Sequence, residues 1–155
     1  MTTDLAGQGH RGATLLDVNV LLALAWPNHE HHDRARRWFE EHHAGGWATT
    51  AVTELGFVRV SSSRVAVSAA TTPKIAAELL SAMTSLAGHE FWSDDVSLVV
   101  AGEIDMTLVP SYRDVTDAHL LALARRQRGR LVTFDARIVR LLPAEERKLV
   151  DLLRA

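Results

Sequence analysis

Short apolar runs alternate with longer stretches of helical period along this 155-residue chain, and that alternation admits few folds. Ala13-Thr14-Leu15-Leu16 reads as a buried strand running into Asp17, and the apolar stretch 18–26 as a short helix closed by Pro27. Residues 29–43 place Ala35, Trp38, Phe39 and His42 at helical spacing before Gly45-Gly46 stops them. Trp47-Ala48-Thr49 predicts a second strand, and 51–61 a helix with Val52, Leu55 and Val58 on one face and Phe57 beside them. Thr72-Pro73 starts another helix, with Ile75, Leu79, Leu80, Met83 and Leu86 as its apolar stripe. Phe91-Trp92 is a candidate third strand, and 96–109 fits neither period. Residues 114–128 form the strongest helix, with Ala118, Leu121, Leu123 and Ala124 inward and Gly129 as its stop; 130–134 alternates as the last strand before Asp135, and 136–142 makes a short helix. Strands separated by helices predict an α/β fold, a three-layer α/β/α sandwich around a central, mainly parallel sheet.

The length suits one domain, taken as 13–155 behind a flexible polar tail at 1–12 that lacks the apolar run of a signal peptide. The absence of cysteine excludes disulfides, zinc–thiolate sites and thiol nucleophiles, and agrees with a cytoplasmic protein. No stretch has the ~18–20 apolar residues of a membrane span. A net charge of −2 gives no overall attraction to nucleic acid, so any such contact must rest on local patches.

Four acids occupy significant places. Asp17 and Asp135 each follow a strand directly, Glu54 lies one turn into the helix after the second strand, and Asp117 lies in the first turn of the strongest helix. Singly, each has an ordinary use as a helix cap or a first-turn acid. Together they imply more, because a parallel sheet directs the C-terminal ends of its strands to one edge, where ligand sites form. Two carboxylates ~4 Å apart repel by about 4 kcal/mol at an effective dielectric of 20. Such a cluster protonates or holds a cation, and an all-oxygen donor set selects magnesium or manganese. An open acidic metal site is suited to phosphodiester hydrolysis.

The segment from Leu15 to Leu24, with Asp17 and Asn19, resembles the opening motif of the PIN-domain VapC toxins. Thr53-Glu54-Leu55 is similar to the family's second acidic motif, the segment from Val115 to Ala124 around Asp117 to its third, and Thr133-Phe134-Asp135 to its fourth. The motifs stand in the family's order and span nearly the whole chain. The resemblance implies a PIN-like fold and a magnesium- or manganese-dependent endoribonuclease that stops translation by cutting structured RNA. It also implies a VapB-type antitoxin partner and a homodimer. Asp17, Glu54, Asp117 and Asp135 carry over as catalytic and metal-binding acids, Asn19 as a hydrogen-bonding support and Thr133 as a supporting hydroxyl.

Other features are weaker. His29-Glu30-His31-His32 cannot direct all its imidazoles at one ion from a helix and reads as a polar helix start. His42-His43 suits a helix end, Asp114 a cap, and Asp94-Asp95 a strand-end cap; His119 faces away from Asp117. Trp26 and Trp47 suit core packing better than base stacking. Under a ribonuclease reading Arg113, Arg34 and Arg37 are candidate RNA contacts. A phosphatase of the haloacid-dehalogenase type would need an acid where Asn19 stands, and a receiver-like domain would need paired early acids. A PIN fold that binds its antitoxin without cutting RNA stays open.

Overall fold

A computed structural model describes residues 12–64 and 71–154. The strands are β1 (Thr14–Leu16), β2 (Trp47–Thr50), β3 (His89–Trp92), β4 (Arg130–Thr133) and β5 (Val150–Leu152). Neighbouring residues of a strand face opposite sides of a sheet, and that alternation divides the core in two. Leu15, Ala48 and Leu131 join one apolar cluster, whereas Leu16, Trp47 and Val132 join the other. Both faces are covered, as a parallel sheet requires.

The first face carries α5 (Val115–Arg126), through Ala118, Leu121 and Ala122. The second carries α1 (Val18–Ala25), α2 (His32–His42), α3 (Ala51–Ser61) and α4 (Pro73–Thr84), through Val20, Trp38, Phe57 and Leu80. All pairings are parallel and the strand order is β3-β2-β1-β4-β5. The chain therefore builds outward from β1 to β3, then returns to the opposite side of β1. The order reverses between β1 and β4, where a crevice opens beyond the strand ends.

Several local expectations change. The inward residues of α3 are Thr53, Gly56 and Phe57, while Leu55 is 65% exposed. Periodicity of large apolar residues misses this face because a glycine and a threonine form part of it. A Cβ on Gly56 would stand 2.7 Å from Val18 Cγ2, so glycine is what admits α1 at that distance. On α4 the buried residues are Ala76 and Leu80; Ile75 is half exposed, as is Leu86, which lies beyond the end of the helix. Helix α2 begins at His32, not His29.

The sheet also has a strand beyond the one expected to be last. β5 pairs with β4 after two 3-10 segments, Ala136–Leu141 and Ala144–Leu149. At the end of α5 the left-handed residue is Arg128 (φ 53°), with Arg128 N–H donating to Arg125 O and Gly129 N–H to Ala124 O. This Schellman closure assigns Gly129 a different task from the expected stop: a Cβ there would meet Ala13 O at 2.2 Å. Residues 96–109 form turns and a 3-10 segment at Met106–Leu108. Of the tail expected at 1–12, only Gly12 is described, its N–H donating to Arg128 O.

Candidate active site

Asp17 is the residue at which β1 becomes α1. Its N–H completes the ladder to β4 by donating to Val132 O, and its Oδ1 caps α1 by accepting from Val18 N–H at 2.7 Å. The capping and site readings of Asp17 are thus compatible, because one oxygen does the capping. The other, Oδ2, accepts the Thr133 hydroxyl at 2.7 Å. That hydroxyl in turn accepts from Asn19 Nδ2 and from Asp135 N–H, each at 3.1 Å. Asn19 Oδ1 accepts from Phe134 N–H at 3.2 Å. The Asn19 and Thr133 side chains therefore tie the end of β1 to the end of β4 and fix the direction of the Asp17 carboxylate. Asp17 is only 8% exposed, and burial raises its pKa above the usual carboxylate range; the hydrogen bonds from Thr133 and Val18 oppose the rise, and the charge of Asp135 adds to it.

Asp117 stands in the first turn of α5. Its pKa is raised to about 7, first by burial and then by the charges of Asp17, Asp135 and Asp114; Arg137 alone opposes them. Asp114 is the acid that sequence reasoning undervalued. It is buried at the start of α5 and makes no capping bond with its side chain, whose Oδ2 accepts from Ser111 Oγ at 2.8 Å. Its spacing of three from Asp117, which puts both on one helix face, was the available signal. Asp135 behaves oppositely. The Arg137 guanidinium lies along its carboxylate, with Nη2 to Oδ2 at 2.8 Å, and hydrogen bonding to Arg137 holds its pKa below the usual range.

Glu54 stands apart from this group. Its Oε1 accepts the Thr49 hydroxyl at 2.8 Å, and the same hydroxyl lies 2.8 Å from His89 Nε2. Glu54 is not among the charges that raise Asp17 or Asp117. A cleft of about 510 Å3 runs from Asp17 between Val52 and Leu55 of α3 and Thr116 and Leu120 of α5. Across it, Asp94 ties the two helices together: Oδ2 accepts from Val52 N–H and Oδ1 pairs with His119 Nε2, both at 3.0 Å. The strand-end carboxylate and the histidine that faces away from Asp117 thus have a joint use.

The remaining candidates are placed without contact to the acids. Arg34 and Arg37 lie on α2, and Arg113 is exposed, its Nε donating to the Tyr112 hydroxyl at 3.2 Å. Arg137 and Arg140, which act on Asp135, are the cations that the sequence reading passed over. His29, His31 and His32 are held by local structure, with His31 stacked on Phe134 (ring centroids 4.7 Å apart) and His32 Nδ1 2.7 Å from Ala23 O. His42 and His43 contact the carbonyls of Trp38 and Phe39, as a helix-end pair would. Trp47 is buried, and Trp26 donates to Ser61 Oγ at 3.0 Å.

By donor type and charge the cluster suits a hard divalent cation. Its oxygens are all carboxylate, and the charges of Asp17 and Asp135, which add to burial in raising Asp117, are a repulsion that a cation relieves. Among the described residues, however, no three Asp, Glu or His side chains already stand in an ion's coordination geometry. Arg137 covers one acid, and Glu54 is turned to Thr49.

Comparison with known proteins agrees with this architecture. The family model described as "PIN domain" matches residues 14–141. Ribonuclease VapC39 of Mycobacterium tuberculosis is 60% identical over 122 residues, covering 79% of this chain and 88% of the relative. Ribonuclease VapC38 of the same organism is 49% identical over 139 residues, covering 90% and 96%. Ribonuclease VapC44, also from that organism, is 47% identical over 124 residues, covering 80% and 87%. With the parallel sheet, the Asp17–Thr133–Asn19 junction and these matches together, the chain belongs to the PIN-domain family, among its VapC members.

Proposed function

We propose that this protein is a magnesium- or manganese-dependent endoribonuclease, the toxin of a type II toxin–antitoxin pair. In this reading it inhibits translation by cutting structured RNA of the transfer or ribosomal class, and a VapB-type antitoxin neutralises it. The observation that carries the reading is the convergence of Asp17, Asp117 and Asp135 on the β1–β4 crevice, with Asp117 raised to about 7 by burial and its neighbours. The names of the relatives, ribonucleases of the VapC series, support the same class of activity. Asp17, Asp117 and Asp135 would hold the ion, and Glu54 would join them on turning away from Thr49. When bound, the ion supplies a water of lowered pKa and offsets charge on the phosphate and the departing oxygen.

The chain's own groups prepare that chemistry. Thr133 and Asn19 hold the Asp17 carboxylate in one orientation, so no ordering of that side chain is needed when the ion arrives. The β1–β4 ladder fixes the separation of Asp17 and Asp135, and the Asp94 tie fixes α5 against α3. Apolar Val52, Leu55 and Leu120 line the adjacent cleft. A homodimer in the cytoplasm belongs to the same reading, and among the described residues no helix is long and apolar enough to cross a membrane.

The test is cleavage of total cellular RNA by the wild type and by Asp17→Asn, with magnesium or manganese and with chelator. Discrete cuts by wild type only with metal, and loss of at least about 100-fold in Asp17→Asn, are the expected result. Equal cutting by both folded proteins, or no cutting with any metal, overturns the reading.

A further inference from the structure

We propose that Arg137 is a built-in counter-cation for Asp135, which competes with the divalent ion for that carboxylate and, once displaced, binds a phosphate of the RNA. The inference rests on the metal-dependent ribonuclease reading above and assigns a role to a residue outside the acidic motifs.

One residue saturates the Asp135 carboxylate. Oδ1 accepts from the Arg137 backbone N–H at 2.9 Å and from its Nε at 3.1 Å; Oδ2 accepts from Nε at 3.2 Å and from Nη2 at 2.8 Å. Two carboxylate oxygens offer about four lone-pair positions, so these contacts leave little room for an ion until the guanidinium withdraws. Nothing buried holds the guanidinium there, since the Arg137 side chain is 59% exposed. With Arg137 59% and Asp135 24% exposed, the pair is open to solvent on its cationic side and correspondingly weak, and a doubly charged cation held by the acids would displace it. The backbone N–H contact starts the 3-10 segment Ala136–Leu141 and survives the exchange.

The displaced group stays local. Arg137 also feels the charges of Asp114 and Asp117, which places it on the crevice side of the turn. Arg140 is not the equivalent candidate, because its Nε donates to the Arg137 carbonyl at 3.3 Å. A planar guanidinium released at the rim of a site for RNA meets a phosphate with a matched pair of donors. The exchange couples the two occupants: the ion frees the cation that the substrate uses.

The experiment compares wild type, Arg137→Gln and Arg137→Lys in two measurements. Calorimetric titration with magnesium, in the absence of RNA, reads the competition. Arg137→Gln is expected to bind roughly two- to fivefold more tightly than wild type, with Arg137→Lys between them. The salt dependence of KM for RNA reads the phosphate contact. Arg137→Gln is expected to raise KM and flatten the plot of log KM against log salt by about 0.7, and Arg137→Lys to restore the slope. Unchanged magnesium affinity in Arg137→Gln overturns the competition, and an unchanged salt slope overturns the phosphate contact. If wild type and variants alike take up neither magnesium nor manganese, the metal-dependent reading itself fails, an outcome distinct from a null effect of Arg137.

Discussion

Asp117 and Asp135 show how one residue type acquires two characters within a single crevice. Asp117 is raised to about 7 by burial and by three acidic neighbours, while Arg137 holds Asp135 below the usual range. The consequences for stability have opposite signs. Between the ordinary carboxylate pKa of 3.8 and about 7, folded Asp117 binds a proton that the unfolded chain has released, so stability falls as pH rises through that window. Asp135 acts below 3.8, where its contribution is lost as pH falls through its lowered pKa. Allowing for partial solvent screening, the Asp117 effect is about 1 kcal/mol, or about 2–4 °C in Tm. Thermal melts of metal-free protein should therefore show the Tm of wild type falling relative to that of Asp117→Asn between pH 5.5 and pH 8, a comparison in which the opposite contributions of His29 and His89 cancel. An identical pH dependence of the two proteins contradicts the assignment. The sequence revealed where these acids stand, since each follows a strand or opens a helix. It did not reveal the Arg137 fork, which is a rotamer of a largely exposed side chain, or the part played by Asp114, which depends on its burial.

Helices α3 and α5 carry two of the candidate acids and are not neighbours in sequence, so something must fix their spacing. Asp94 does so, accepting from the N-terminal end of α3 and pairing with His119. The pair is largely shielded, with side-chain exposures of 18% for Asp94 and 13% for His119. Asp94→Ala removes an acceptor from an exposed helix end and leaves His119 without its partner, at a cost of about 1–3 kcal/mol. The altered spacing should also weaken magnesium binding by about 10-fold, while Asp94→Asn, which keeps an acceptor for Val52 N–H, should recover most of the stability. Melting and calorimetric titration check both, and wild-type values for Asp94→Ala would refute the tie. At this scale the order of helices and strands was legible from periodicity. The inner face of α3 was not, because Gly56 and Thr53 do there what large apolar residues do elsewhere.

The whole molecule brings its acids together through topology. Because the strand order reverses between β1 and β4, the ends of two central strands and the start of α5 share one edge of the sheet. Under the proposed ribonuclease function, the net charge of −2 leaves RNA attraction to local arginines, so binding should weaken steeply with salt. The expected homodimer is checked by sedimentation equilibrium: twice the chain mass supports it, and a single-chain mass at all concentrations rejects it. Leu98, Val99, Val100, Met106, Leu108 and Tyr112 are exposed in one stretch of chain, which contributes apolar surface that no described residue covers. By itself the sequence determined the α/β class, the alternation of the elements and the placing of Asp17, Glu54, Asp117 and Asp135 at strand ends and helix starts, because periodicity and capping are local properties. Only the tertiary structure decided that β5 extends the sheet, that Thr133 and Asn19 aim Asp17, that Glu54 turns to Thr49 and that Arg137 covers Asp135. The first two depend on partners brought together by strand pairing and the last two on the rotamers that nearby side chains adopt in the folded chain, and neither is written in the spacing of residues along a chain.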